Sequence, residues 1–341
     1  MRKHNIIIFV VSLVLLSCQE TKQTEKETTV KKEVLPSWND SKSKSDIIGF
    51  VQKVTDSSSP LFVPVIDRIA TFDNDGTLWT EQPFYFQLAY AFDEANQMIK
   101  QNPEMKNDPI FEALANGDME TIMSSGKEGV GKILMVTHTG IYTDQYYGKV
   151  SKWMETAKYP KSGKAYSEMI FQPMLEVIDY LKDNNFSVFI VSGGSSDFMR
   201  PWAENVYGIP KNNIIGTTLQ LEYVLNDSNS PKLRILPEIG FLDDKEGKPM
   251  AIHQYIGRKP IAAFGNSDGD LQMLQWTDSN SYPSLKVYVH HTDGDREWKY
   301  DRDARMGKLD KGLDEALAKN WTVIDMAQDW KIIYPYELKE E

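Results

Sequence analysis

The run Ile69-Ala70-Thr71-Phe72-Asp73-Asn74-Asp75-Gly76-Thr77-Leu78 constrains this chain more than any other stretch. An apolar segment of strand character ends in two carboxylates two positions apart, followed by glycine and threonine. Like charges repel and a desolvated carboxylate needs a partner, so two acids at the mouth of a buried strand cost stability. A solvated turn would tolerate them, since Asp-Gly after an apolar run is a turn signal. A bound cation or a reaction would require them.

The same pattern returns twice downstream. Val188 to Val191 reads as a fully buried strand, the continuous kind found in parallel sheets, and Ser192-Gly193-Gly194-Ser195 follows it. Ile261 to Phe264 reads likewise, and Gly265-Asn266-Ser267-Asp268-Gly269-Asp270 follows. Lys286 to His290 and Trp321 to Ile324 are two further strand candidates, while Ile214 to Asp243 suggests short strands and turns. Helical spacing separates these runs. Pro173 opens an amphipathic helix with Met174, Leu175, Val177, Ile178 and Leu181 on its apolar face, and a helix over about Pro249 to Ile256 precedes Ile261. Ahead of the first strand, Asp46 to Val51 reads as a short helix capped by Ser45. Strands alternating with helices imply a doubly wound parallel sheet. In such sheets ligands bind beyond the carboxyl ends of the strands, so the three polar loops are expected to meet on one edge.

These loops resemble, in order, the signature motifs of the haloacid dehalogenase superfamily. Asp73-Asn74-Asp75-Gly76-Thr77 is similar to its first motif, and Ser192 in Val-Ser-Gly-Gly-Ser to its second, in the form seen in phosphoserine phosphatases. Lys248 in Gly-Lys-Pro resembles the third, with Lys245 and Lys259 as competitors, and Gly265 to Asp270 occupies the fourth. The resemblance implies a Rossmann-like core and a Mg²⁺-dependent phosphatase. Asp73 would be the nucleophile and Asp75 the proton carrier. Ser192 and the amide of Gly193 would bind the phosphoryl oxygens, and Lys248 would neutralise them. Mg²⁺ would take oxygens from Asp73, Asp75, Asn266 and Asp270. One departure stands out. The fourth motif usually begins Gly-Asp, and here that acid is Asn266, whose amide oxygen can coordinate but brings no charge; Asp268 is an alternative ligand. The second acid, Asp75, separates this chain from the dehalogenases of the superfamily, and the absence of Lys-Thr-Gly after Asp73 separates it from the transport ATPases.

From Phe84 to Ile170 apolar residues recur at intervals of three and four, with helices expected over Phe84 to Lys100, Pro109 to Asn116, Met119 to Ser124 and Tyr142 to Ala157. This insertion stands where the superfamily carries its first-type cap, a helical lid. The expected organisation is thus a core of residues 46–83 and 172–341 with a cap of residues 84–171. Glu81, eight residues after Asp73, stands near the position where phosphoserine phosphatases place a glutamate on the substrate amine. His138, Tyr142, Tyr146 and Tyr147 belong to the cap and are expected to pack it more readily than to form an amine cage. His290-His291 has no spacing suited to convergent metal ligands and reads as loop, with Arg296 and Glu297 in local ion pairs.

At the other end, Arg2, Lys3 and His4 precede an apolar run from Ile6 to Leu16, too short for the about 20 residues that span a bilayer. Leu15-Leu16-Ser17-Cys18 resembles the lipobox of bacterial lipoproteins. It implies cleavage of residues 1–17, lipidation of Cys18, and a membrane-anchored protein of the cell envelope, facing the periplasm or the cell surface. Cys18 is the only cysteine, so no intramolecular disulfide forms. Residues 18–45, mostly Lys, Glu, Thr and Ser, are expected to be a flexible tether. A net charge of −11 with no basic cluster argues against nucleic acid as a partner. The expected partner is a small phosphorylated metabolite, phosphoserine or another amino-alcohol phosphate. A phosphomutase, or a lipoprotein that only binds phosphoesters, are the alternatives.

Overall fold

The computed structural model describes residues 33–225 and 228–339. Residues 1–17 and Cys18, on which the signal and the lipid anchor rest, lie outside the described residues. No helix among the described residues is long and apolar enough to cross a membrane.

Strand β1 (Ile69–Phe72) is buried along its whole length and lies at the middle of a seven-stranded sheet. The others are β2 (Ser187–Ser195), β3 (Ile214–Leu225), β4 (Pro231–Phe241), β5 (Ala262–Gly265), β6 (Leu285–His290) and β7 (Thr322–Asp325), in the order β4-β3-β2-β1-β5-β6-β7. All neighbours are parallel except β3 and β4. The chain runs outward from β1 through β2 to β4, then returns to β5 on the other side of β1. The switch point of this doubly wound sheet therefore falls between β1 and β5, the place where sheets of this kind bind their ligands. Phe72 pairs in register with Ile190 on one side and Phe264 on the other, so the residues after each strand emerge side by side. The stretch expected as short strands and turns is instead the long β3–β4 ribbon. Its outer part exposes Leu221, Tyr223, Leu225 and Leu233, so no buried alternation announces it.

The first helix, α1 (Lys42–Thr55), begins earlier than expected. Its cap is Ser41, whose side chain accepts from Lys44 N at 3.2 Å, and Ser45 sits inside the helix. The end of the expected tether is also part of the folded body. Leu35 and Trp38 are buried, Trp38 Nε1 donates to Pro173 O at 3.1 Å, and its ring meets Trp330 edge-on. One tryptophan in a polar segment thus sets the boundary near residue 34, because burying so large an apolar surface offsets the ordering of its neighbours.

Between β1 and α7 (Gln172–Asp183) lies the helical cap: α2 (Phe86–Gln101), α3 (Pro109–Ala115), α4 (Met119–Ser124), α5 (Gly126–His138) and α6 (Thr143–Thr156). Four of the five match the expected helices; α5 is additional. Part of the cap has its own core, with Phe92, Ile99, Phe111, Leu114 and Ile133 packed together. Others of its aromatics, among them Tyr90, Tyr146 and Trp153, join the main core, where Tyr90 and Trp153 contact Phe198 in the helix after β2. Tyr146 is buried against Tyr90 and His138, and Tyr147 donates its hydroxyl to Asp197, so these rings pack the cap and do not enclose an open cage.

Candidate active site

The two acids of the first loop are separated by their surroundings. Asp73 continues β1, its amide donating to Phe264 O at 2.9 Å, and its carboxylate is buried. Lys248 enters from the helix Gly247–Ala251 and donates to Asp73 Oδ1 at 2.5 Å, Asp270 Oδ1 at 2.6 Å and Val191 O at 2.8 Å. At 2 % exposure this ammonium sits between strands β1, β2 and β5. Burial alone would lower its pKa; Asp270, Asp73 and Asp243 more than offset that and hold it protonated. Asp73 is shifted upward by burial and by Asp270, against the pull of Lys248. The competing lysines stand elsewhere: Lys259 is half-buried and donates to Ser279, and Lys245 is exposed.

Asp75 is partly exposed, and its Oδ1 accepts from Trp79 Nε1 at 2.8 Å. Burial pushes its pKa to about 6, partly countered by Trp79 and Asn74, which suits a group that must carry a proton near neutrality. Asn74 itself is buried, its Oδ1 accepting from Tyr207 at 3.0 Å, so the turn between the acids is fixed. Gly76 has φ +78, and a Cβ there would fall 2.0 Å from Asn266 Nδ2; only glycine lets the first and fourth loops touch this closely. Behind it, buried His291 holds Gly76 O through Nε2 at 2.8 Å and meets Glu297 through Nδ1 at 3.1 Å. The His290-His291 pair was expected to be loop without a site role; His291 in fact braces the loop of Asp75. Arg296 pairs with Asp293, and Glu297 with His291.

Ser192 ends the buried part of β2, and its Oγ accepts from Gly194 N at 3.1 Å. A Cβ on Gly194 would lie 3.3 Å from Ser192 Oγ, 3.5 Å from Asp75 Oδ2 and 3.5 Å from Gln87 Oε1, which shows how closely these three groups gather. Gly193 stands beside Asp243 and Asp244, and its carbonyl accepts from Thr217 Oγ1 at 2.8 Å. Gln87, at the start of the cap, is a site-edge residue that sequence reasoning missed. Its Oε1 accepts from Ser195 N at 2.9 Å, and its amide meets His138 Nε2 at 3.1 Å. Burial drives the His138 pKa down to about 3, so the ring is neutral and accepts that bond.

In the fourth loop, Asp270 is buried with Oδ1 on Lys248 and Oδ2 accepting from the amides of Asn266 and Ser267 at 2.9 and 3.0 Å. Asp268, the alternative ligand, is committed elsewhere. It accepts from the amides of Asp310 and Gly312 at 2.9 and 2.8 Å, at the start of the helix Lys311–Ala318. Glu81, expected near a substrate amine, is engaged within the protein. It is 1 % exposed, and its Oε1 accepts from Asn266 Nδ2 at 2.6 Å and from the Tyr300 hydroxyl at 2.8 Å.

Asp73, Asp75 and Asp270 outnumber the one buried ammonium among them; burial is the main cause of the upward shifts of Asp73 and Asp75, and the charge of Asp270 adds to both. A hard cation would relieve that excess of acid, and the donors present are all oxygens, the set that suits Mg²⁺. Among the described residues no three His, Cys, Asp or Glu side chains alone enclose a metal position. Mg²⁺ accepts such a site, because it keeps several waters and takes substrate phosphate as a ligand.

Asp243, which the sequence did not single out, is fully buried beside this cluster with neither carboxylate oxygen in a well-formed hydrogen bond. Burial raises its pKa to about 7, against the pull of Lys248. The folded state thus holds this proton more tightly than the unfolded one, and the group costs increasing stability as pH rises from about 4 to about 7. Asp243→Asn is expected to flatten that dependence. In metal-free buffer it should gain roughly 2 kcal/mol more over wild type at pH 8 than at pH 5 in urea unfolding. Parallel pH profiles for the two proteins would refute this.

Fold and site together define an α/β protein with acids and a buried lysine gathered at the switch point under a helical cap. The chain belongs to the family of haloacid dehalogenase-like hydrolases, whose model matches residues 70–275. No curated protein matches the sequence. Among solved structures, a conserved protein of unknown function from Anaerococcus prevotii shares 15% identity at a TM-score of 0.52, covering 76% of this chain and 89% of its own. A protein of unknown function from Bordetella pertussis (16% identity, TM-score 0.46) covers 76% and 98%. A phosphoserine phosphohydrolase-like protein from Francisella tularensis (17%, 0.38) covers 74% and 99%. At these identities the first likeness establishes the fold alone.

Proposed function

We propose that this chain is a Mg²⁺-dependent phosphatase of small phosphate monoesters that works through a phosphorylated Asp73. The observation that carries this reading is Lys248, buried between Asp73 and Asp270, with a second acid two residues on held at a pKa of about 6. Asp73 Oδ attacks phosphorus, and the bond to the ester oxygen breaks. Asp75 donates its proton to the departing alkoxide, then takes one from the water that hydrolyses the aspartyl-phosphate, which returns both acids to their starting states. Ser192 Oγ and the Gly193 amide are the donors for the phosphoryl oxygens, and Lys248 offsets their charge. Bound through Asp73, Asp75 and Asn266, with Asp270 holding Lys248 and the amides of the fourth loop beside them, Mg²⁺ would supply the charge that lets an anionic nucleophile approach an anionic phosphate.

A cavity of about 600 Å³ adjoins the fourth loop, lined by Tyr85, Asp244, Ser267, Asp268, Gly269 and Arg305 among others, with none of Asp73, Asp75, Ser192 or Lys248 in its wall. Glu81 was the residue that favoured an amine-bearing substrate; its engagement with Asn266 leaves that preference without a carboxylate to make it. The reading therefore stays at small phosphate monoesters, with phosphoserine and choline phosphate as members of the panel to be assayed. Release of inorganic phosphate from an aryl phosphate, dependent on Mg²⁺ and abolished by chelator, tests the activity. Exchange of phosphate between alcohols without release would favour a phosphomutase, and no turnover across the panel would overturn both. For location, we propose a lipid-anchored envelope protein. Incorporation of labelled fatty acid in cells, lost in Cys18→Ser, is the expected result.

A further inference from the structure

Asn266 stands where the resemblance expects an aspartate, and its surroundings are built for an amide. Nδ2 donates to Glu81 Oε1 at 2.6 Å, while Oδ1 accepts from Thr77 Oγ1 at 3.2 Å. Glu81 decides which way the amide faces: its Oε1 accepts from the nitrogen as it does from Tyr300, and the Thr77 hydroxyl, able to donate or accept, is left to donate to the oxygen. Glu81 is fixed in turn by the Tyr300 hydroxyl at 2.8 Å, and Tyr300 stacks on His291, which holds Gly76. Two glycines make space for the pair. A Cβ on Gly76 would lie 2.0 Å from Asn266 Nδ2, and one on Gly307 would lie 1.9 Å from Glu81 Oε1. Gly76 belongs to the first motif, but Gly307 belongs to none, and both have positive φ. A carboxylate at position 266 would add one more acid against Glu81, whose carboxyl is already shifted upward by burial and by the neighbouring acids.

We infer that Glu81 is a positioning residue for the metal site: it fixes the Asn266 amide so that Oδ1, the side chain's only metal-binding atom, stays on the side of Thr77 and the first motif. The inference rests on the Mg²⁺-dependent reading above. It makes the asparagine and the glutamate one unit, in which each residue type requires the other. Partners that orient a ligand typically govern about 10- to 100-fold in metal affinity.

The test is calorimetric titration of the folded protein with Mg²⁺ alone, without substrate. Glu81→Leu removes the acceptor and is expected to weaken Mg²⁺ binding about 10-fold or more. Glu81→Gln keeps an acceptor oxygen in place and is expected to bind within about 3-fold of wild type, a span smaller than the effect sought. Asn266→Asp alone is expected to bind Mg²⁺ more weakly despite its added charge, because it opposes Glu81. The double variant Glu81→Gln/Asn266→Asp is expected to recover, since the new glutamine amide donates to the new carboxylate. Should Glu81→Leu fail to fold, the comparison of Asn266→Asp with the double variant decides. Equal Mg²⁺ affinity in Glu81→Leu and wild type, or a double variant no better than Asn266→Asp, overturns the inference. A wild type that binds no Mg²⁺ and releases no phosphate removes the functional reading itself, a result distinct from unchanged binding in the variants.

Discussion

Asp73→Asn is expected to lower phosphate release by roughly 10⁴-fold or more, the scale on which loss of a covalent nucleophile acts. The amide has nearly the same shape, so substrate binding and fold should persist. Its nitrogen lone pair is delocalised and its oxygen carries no full charge, so it cannot form the bond to phosphorus. Stability should change little, because two effects oppose each other. The substitution removes an acid shifted upward by burial and by Asp270, but it also removes one of the two carboxylates that pair with Lys248. The measurements are single-turnover kinetics with a radiolabelled phosphoester, acid-quenched to trap label on the protein, and an unfolding curve. Wild type should carry transient label and Asp73→Asn none. A variant with normal fold and more than about a tenth of wild-type turnover would remove Asp73 from the role of nucleophile, since a loss of that size is only about 1.4 kcal/mol of barrier.

The site's three loops were legible because each follows an uninterrupted apolar run, and in a doubly wound sheet such runs end on one edge. Asp73, Ser192 and Asp270 could be placed from strand order alone. Lys248 was legible by its position in Gly-Lys-Pro, although nothing local says that it is buried. The sequence was less explicit where a residue's partner is distant. Trp38 looked like part of a polar tether because Pro173 and Trp330 complete its pocket. Glu81 looked like a substrate contact because its offset from Asp73 is a local fact, whereas its bonds to Asn266 and Tyr300 span 185 and 219 residues. The start of α1 was misplaced for another reason: in Ser41-Lys42-Ser43-Lys44-Ser45 either outer serine makes a plausible cap, and only packing chooses. Gln87, Asp243 and His291 carry no motif. Their roles follow from which loops the sheet brings together.

Lys248→Met should be the single change to the site that costs the most stability, and it should lower activity as well. The methionine fills much of the same space but leaves Asp73 Oδ1 and Asp270 Oδ1 without the ammonium now 2.5 and 2.6 Å away. Breaking a buried pair by removing one partner typically costs about 3–5 kcal/mol, because the remaining charge keeps its desolvation penalty. Here two acids are left, and Asp243 loses its nearby cation as well. The chain can respond by protonating them. A carboxylate whose folded pKa lies above its unfolded value binds more protons when folded, so its contribution to stability falls as pH rises above the ordinary carboxylate range. Lys248→Met is therefore expected to lose more stability at pH 8 than at pH 5.5, unlike a variant that has lost an ordinary surface salt bridge, whose cost is the same at both. Mg²⁺ should return part of the loss by supplying the missing positive charge. Urea unfolding at the two pH values, with and without Mg²⁺, reads all three effects. Phosphate release should fall by at least about 10²-fold, as on removing a group that stabilises transition-state charge. A Lys248→Met protein as stable as wild type at pH 8 would show that the ammonium does not hold these acids together.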